Sequence, residues 1–187
     1  MIGQDSRLIR EAKAGNKRAF GKLVKKYEKK ILFLSYDLCG NYEDAKDVAQ
    51  DVFIKSFEKL SQFEERSEFL TWLYRITVNM AIDFHRQQKR SRQRFMNDNL
   101  LHAQKSLNKV DILYPSKTML EELEQRDQIE HVLKKLSMNQ RTATVLKYFH
   151  HKTTKEIAEI MGCQETTVRN HIFRALGNLK KHLENLA

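Results

Sequence analysis

The chain has one proline, six glycines, one tryptophan and two cysteines in 187 residues. So little proline and glycine argues against an all-β fold, whose many tight turns draw on both. Cys39 and Cys163 stand alone, without metal-ligand spacing, so neither a disulfide framework nor a zinc site is indicated. No apolar run approaches the roughly 20 residues that a bilayer-spanning helix needs. The N-terminal stretch MIGQDSRLIREAKAGNK has no apolar signal-peptide core. No membrane insertion is expected, and the expected place of action is the cytoplasm. A Gly-rich phosphate loop, paired carboxylates in a plausible cleft and a Cys/His nucleophile arrangement are all missing. The chain is therefore expected not to be an enzyme and to need no cofactor or metal. His150 and His151 are adjacent, and neighbouring side chains on a helix point apart, so a surface or turn role is expected for them.

Positive charge is what the chain has in excess. It carries 34 Lys+Arg against 24 Asp+Glu, a formal net charge of +10. Such an excess in a small protein suggests a polyanion partner, most often nucleic acid. The charge is segregated. Residues 1–30 hold ten basic and three acidic side chains, whereas 37–58 hold six acids and two lysines. Residues 85–94 (HRQQKRSRQR) hold five Arg/Lys and no acid. A protein that only coated DNA would not need the acidic stretch, which suits a second, basic partner; a solvated helix face is the plainer account of any single charge there.

Hydrophobic residues make up 41% of the chain, enough for a core. Apolar positions recur at three-and-four spacing over 5–15, 17–39, 42–60, 67–90, 119–136, 138–149, 153–162 and 165–186, which predicts helices throughout. Gly15, Gly40 and Gly162 fall where helices should stop. Residues 91–118 lose the periodicity and contain the single proline, so they read as a linker of about 28 residues. The fold class is all-α, with two small helical domains at 1–90 and 119–187 joined by a flexible tether.

Near the C-terminus, Thr153-Thr154-Lys155-Glu156 fits a capping box. A short helix follows, then Gly162, then a second helix that begins near Glu165–Thr167. Two helices joined by so short a turn form a helix-turn-helix. Phasing the second helix at 100° per residue puts Val168, Ile172, Leu176, Leu179 and Leu183 on one stripe. Asn170, Arg174 and Lys181 fall opposite, with Thr166, Thr167 and Phe173 at the margins. Arg can pair bidentately with guanine and Asn with adenine in the major groove. Thr hydroxyls and Arg169 can position the helix on phosphates. Phe173 is expected to face outward, where it can touch a thymine methyl, or to cap the core between the helices.

The helix at 67–90 has a stripe of Leu73, Ile76, Thr77, Met80 and Phe84, with Val78 and Ile82 on a second apolar flank. Trp72, Arg75, Asn79, Asp83 and Arg86 gather on the far side. An aromatic among Arg and Asn offers stacking, hydrogen bonding and phosphate neutralisation to single-stranded nucleic acid, although a lone Trp is by default a core residue. Upstream, the polar loop Ser61–Ser67 carries one aromatic, Phe63, and such a loop can hold a base that has left the stack.

The runs DAKDVAQDVFIKSFEKLSQF and FLTWLYRITVNMAIDFHRQQKR resemble region two of bacterial RNA polymerase sigma factors. TKEIAEIMGCQETTVRNHIFRALGNLKKHL resembles their region four. The absence of a further domain and the short linker match the small two-domain extracytoplasmic-function (ECF) group. The resemblance implies a sigma factor that binds core RNA polymerase, directs it to promoters and promotes DNA melting. It implies that Asp47, Gln50, Asp51, Phe53 and Lys55 meet the clamp coiled coil of the largest polymerase subunit. Phe63, Glu64, Arg66 and Ser67, with Trp72, Arg75, Asn79 and Arg86, would hold the melted strand of the minus-ten element. Thr167, Arg169, Asn170, Phe173, Arg174 and Lys181 would read the minus-thirty-five element as duplex. An anti-sigma protein is a further implied partner.

The alternatives are a stand-alone helix-turn-helix regulator, an RNA-binding helical protein and, more distantly, an enzyme acting on nucleic acid. The first would need a ligand pocket and leave the acidic stretch unexplained. The second would leave the helix-turn-helix face unused.

Overall fold

A computed structural model describes the backbone of residues 2–97 and 130–184, and the side chains of 5–91 and 130–181. Among the described residues there is no strand, and no helix is long and apolar enough to cross a membrane.

Helix α1 is Ile2–Lys13, α2 is Lys17–Cys39 and α3 is Tyr42–Glu58. Asn16 caps α2 by accepting from the Arg18 and Ala19 N–H groups, and Asn41 caps α3 by accepting from Asp44. Gly40 ends α2 in the left-handed region at φ 85°, returning its N–H to Tyr36 O. A 3₁₀ turn at Leu60–Gln62 leads through a loop to α4, Phe69–Asn97. The sequence places the end of this helix at residue 90. It runs seven residues further because Arg, Gln and Lys are good helix formers and no proline or glycine interrupts them. The rest of the expected linker, and most of the helix expected at 119–136, lie outside the described residues; 130–133 are helical.

The C-terminal helices are α5 (Met138–Tyr148), α6 (Thr154–Met161) and α7 (Glu165–Glu184). Ser137 and Gln140 close a capping box on α5, and Thr153 and Glu156 close the expected one on α6.

α1 to α4 pack around Leu23, Ile31, Leu32, Leu34, Leu38, Val52, Leu73 and Val78, all almost fully buried. α5 to α7 close on Val145, Leu146, Ile157, Ile160, Val168 and Ala175. α4 is packed from two sides, as its two apolar flanks require. The helical regions before and after the linker touch: α4 meets α6 and α2 meets α5. Their buried apolar residues merge into one continuous cluster.

Polar groups bridge this junction. Arg141 Nε donates to the Asp37 carbonyl at 2.7 Å, and Tyr74 Oη lies 3.0 Å from His150 Nδ1. His150 is thus not a surface residue: its side chain is 6% exposed, sealed between Asp37 and Tyr74. Its neighbour His151 does occupy an exposed turn, with φ 51°.

Candidate nucleic-acid interface

The geometry of α7 is set from its far side. The Thr153 hydroxyl accepts from the Glu156 N–H while the Glu156 carboxylate accepts from the Thr153 N–H and hydroxyl. Gly162 closes α6 at φ 63°. The Gln164 carbonyl receives the Thr167 and Val168 amides, starting α7. Ile157, Ile160, Val168 and Ala175 then lock the two helices together.

Burial alone would raise the Glu156 carboxyl. Donation from the Lys152 ammonium and from both Thr153 groups overrides it and holds the carboxyl at about 2.

With its inner side fixed, α7 presents Arg169, Asn170, Phe173, Arg174 and Lys181 to solvent, with Thr167 half-buried. Phe173 is 79% exposed, which decides between its two expected positions in favour of the outward one. Arg169 lies beside Glu165 at 3.3 Å, near the helix N-terminus. Leu176, expected on the inner stripe, is 45% exposed; Ala175 occupies the core position instead. The stripe drifts because 3.6 residues per turn brings position 175, not 176, over Val168 and Ile172.

On α4, Arg75, Asn79 and Arg86 form an exposed row, with Asp83 3.4 Å from Arg86. The aromatics behave differently. Phe63 is buried, stacked 5.0 Å from Trp72 and 5.4 Å from Phe69, and Trp72 is half-buried. Phe63 therefore anchors the loop and offers no free ring face. Lys13 Nζ holds the Phe63 carbonyl at 2.5 Å and sits 5.8 Å from its ring. The loop projects Glu64 and Arg66, paired at 2.7 Å and exposed, with Ser67 half-buried. Glu65 takes φ 57°, a left-handed kink rare for a non-glycine residue.

The helical pattern gave no sign of what lies behind this loop. A cleft of about 320 Å³ opens between it, α1 and α2, lined by Asp5, Lys26, Tyr27, Lys30, Glu65 and Ser67 among others. The Tyr27 hydroxyl donates to Asp5, and burial followed by that carboxylate raises the phenol well above its ordinary value. Lys26 pairs with the same carboxylate at 2.5 Å. Only the basic surplus of residues 1–30 hinted at such a lining.

The acidic stretch splits across α3. Asp51 and Lys55 are exposed, Asp47 is half-buried, and Gln50 and Phe53 point inward at 7% and 3% exposure. Lys55 pairs with Glu58 at 2.9 Å. Beside them, Ile54 and Phe57 stay 47% and 40% exposed. They rim an apolar cleft of about 680 Å³ with Phe20, Val24 and Phe53. The sequence carries no separate signal for this strip, because Ile54 and Phe57 look like the core positions Val52 and Phe53 beside them.

Both thiols are free. Burial, then the Asp44 charge, pushes Cys39 up to about 12, and burial also raises Cys163, so neither is a ready thiolate. No cluster of metal-ligating side chains forms among the described residues.

Comparison with known proteins agrees with this layout. The family profile for Sigma-70 region 2 matches residues 23–91, covering α3 and most of α2 and α4, and that for Sigma-70, region 4 matches 126–179. The RNA polymerase sigma-H factor of Pseudomonas aeruginosa is 36% identical over 98% of this chain and 95% of its own length. The ECF RNA polymerase sigma factor SigW of Bacillus subtilis is 32% identical over 95% and 96%. The solved structure of CnrH in complex with the cytosolic domain of CnrY shares the fold, with a TM-score of 0.68 and 24% identity over 98% of this chain and 99% of that one. A chain with both regions in this order, and this close to such relatives along its whole length, belongs to the sigma-70 family of RNA polymerase sigma factors, in the ECF group.

Proposed function

We propose that this sigma factor works through three separate faces, one for each task of initiation. The outward face of α7 reads duplex DNA at the minus-thirty-five element. Asn170 and Arg174 contact base edges, Phe173 meets a thymine methyl, and Thr167, Arg169 and Lys181 sit on phosphates. The observation that carries this is a basic face with an exposed phenylalanine, on a helix whose other side is fixed by Val168 and Ala175.

The loop Phe63–Ser67 and the α4 row take the melted minus-ten strand. Arg75, Asn79 and Arg86 follow the backbone and base edges. Glu64, Arg66 and Ser67 surround an extruded base at the mouth of the cleft beside Lys26 and Lys30. Phe63 and Trp72 shape that mouth from beneath. Trapping stabilises the open state because the base gains these contacts only after leaving the duplex.

Asp47 and Asp51 offer charge to the basic clamp of core polymerase. Ile54 and Phe57 add apolar contact, Lys55 trims the edge, and Gln50 and Phe53 support the strip from inside. The domains divide as 1–90 and 119–187 around the linker. Sigma factors are generally initiation factors without enzymatic activity, and this chain does no covalent chemistry of its own. It acts in the cytoplasm. An anti-sigma protein is a partner; the fold neighbour CnrH was solved bound to a cytosolic domain of CnrY.

The test is run-off transcription with purified core polymerase on genomic promoter fragments. Promoter-specific transcripts that appear only when the chain is added are expected. Duplex binding without polymerase, and no transcripts, would favour a stand-alone regulator instead.

A further inference from the structure

We infer that Lys13, the last residue of α1, is a positioning residue for base capture: it sets the shape of the loop Phe63–Ser67 without touching DNA itself. α1 lies ahead of the stretch that matches Sigma-70 region 2, which begins at residue 23. The helix is nonetheless fixed. It packs on α2 and on the 3₁₀ turn, with Ile9 and Ala12 only 2% and 4% exposed. Lys13 thus projects from an anchored element, and its side chain is 28% exposed. Its ammonium meets the loop in three ways. Nζ donates to the Phe63 carbonyl at 2.5 Å, lies 3.9 Å from the Glu65 carboxylate and stands 5.8 Å from the centre of the Phe63 ring.

These contacts act where the loop changes direction. The Phe63 ring is held by Phe69 and Trp72, and the Phe63 N–H donates to the Leu60 carbonyl. Lys13 adds the third anchor, on the carbonyl, so the loop leaves Phe63 in a set direction. Two residues on, Glu65 takes φ 57°, a conformation that a non-glycine residue keeps where its surroundings impose it. The ammonium on the Phe63 carbonyl also draws the Glu65 carboxylate, so one cation holds both ends of the kink. The kink leaves Glu64 and Arg66 paired outside at 2.7 Å and puts Glu65 and Ser67 on the wall of the cleft of about 320 Å³.

The consequence rests on base capture by this loop, as proposed above. An extruded base leaves its stack before it gains the loop. A loop already in shape gives up less conformational freedom at that moment, so more of the contact free energy remains to hold the base. A neutral side chain at position 13 would leave the Phe63 ring anchored but release its carbonyl and the Glu65 kink. Capture of the base should then weaken, while contacts to the strand's phosphates should not.

The experiment compares the full native chain with Lys13→Met, Lys13→Arg and Glu65→Gln. Trp72 is the single tryptophan and its ring lies 5.0 Å from that of Phe63, so acrylamide quenching of its fluorescence reports on the loop in the free chain. Lys13→Met should raise the quenching, Lys13→Arg should restore it, and Glu65→Gln should move it less. Each form is then assembled with core polymerase and titrated with a labelled fork-junction duplex whose minus-ten element is single-stranded, taken from a promoter that the run-off assay identifies. In a second set of forks, one nucleotide of that element at a time is abasic. With the native chain, one abasic position should cost roughly tenfold in affinity. Lys13→Met should lose several-fold on the intact fork and almost nothing on the fork abasic at that position, with its salt dependence unchanged. Lys13→Arg should bind like the native chain. Glu65→Gln should fall between, and it decides the matter if Lys13→Met loses helicity by circular dichroism. Equal losses on intact and abasic forks, with a salt slope lower by about one, would make Lys13 a phosphate contact and overturn the inference. So would quenching that stays native in both Lys13→Met and Glu65→Gln. If quenching rises but no abasic position matters even to the native chain, base capture itself fails and the positioning role with it, while the contact that shapes the loop stands.

Discussion

Arg174 and Phe173 stand one residue apart on α7, both exposed, and they should fail in different ways. Arg174→Ala is expected to cost about 1–3 kcal/mol at one base pair and relax specificity there. Competition binding against a set of minus-thirty-five variants would show this; an equal loss on every sequence would make Arg174 a phosphate contact. Phe173 is 79% exposed and holds up little of the core. Phe173→Ala should therefore weaken duplex binding while leaving the melting temperature within a degree or two, because exposed positions contribute little to stability. Arg174 is legible in the sequence, since helical phase turns it outward; for Phe173 phase leaves an outward and a core-capping position open, and only the packing decides. Phe63 and His150 are not legible there. Phe63 is buried by Phe69 and Trp72 across a loop, and His150 by Asp37, 113 positions away in the chain. Local pattern has no access to partners at that distance, so an exposed turn is the natural reading of a His-His pair and a free stacking surface that of a loop Phe.

Among the elements, α6 is the shortest of the labelled helices and leans most on its cap. Thr153→Ala removes the acceptor for the Glu156 N–H and one donor to its carboxylate, and should cost about 1 kcal/mol. The same box makes stability depend on pH. Glu156 is held near 2 in the folded chain, below its ordinary value of about 4.3. The stabilisation is thus fully present above about pH 4.3 and is lost as pH falls toward 2. Thermal melts of the native chain and Thr153→Ala should differ most at neutral pH, and the gap should narrow as pH falls from about 4 toward 2, down to the part owed to the Glu156 N–H cap, which does not titrate; a gap of constant size over that range would show that the Glu156 carboxylate is not the partner that matters. This capping box is written in four consecutive residues and was readable as such. The end of α4 was not: loss of apolar periodicity after residue 90 looks like a linker, but a solvated helix of Arg, Gln and Lys loses periodicity too, and α4 continues to Asn97.

Over the whole molecule, charge separates the partners more clearly than any single residue does. The net charge of +10 is not spread evenly: the acids Asp47 and Asp51 sit on α3 beside the apolar pair Ile54 and Phe57, while exposed Arg and Lys are carried by α7. This division was visible in the segregation of charge along the sequence. The apolar rim was not, because Ile54 and Phe57 pass for core residues until the packing shows Val52 and Phe53 filling that role. If the two surfaces serve different macromolecules, they can be switched off one at a time. Asp51→Lys should weaken association with core polymerase several-fold, most strongly at low salt where charge pairing is least screened. Ile54→Ser should weaken it to a similar degree at all salt concentrations, since apolar contact is not screened. Neither should change the affinity of the chain for minus-thirty-five duplex. Lys181→Ala should do the reverse, reducing the salt dependence of duplex binding by about one phosphate contact and leaving polymerase binding intact. Fluorescence titrations with labelled core enzyme and labelled duplex, each at two salt concentrations, would measure all of these. Loss of both activities in any one variant would mean that the faces are not separate, and that the acidic strip does its work by holding the fold in shape.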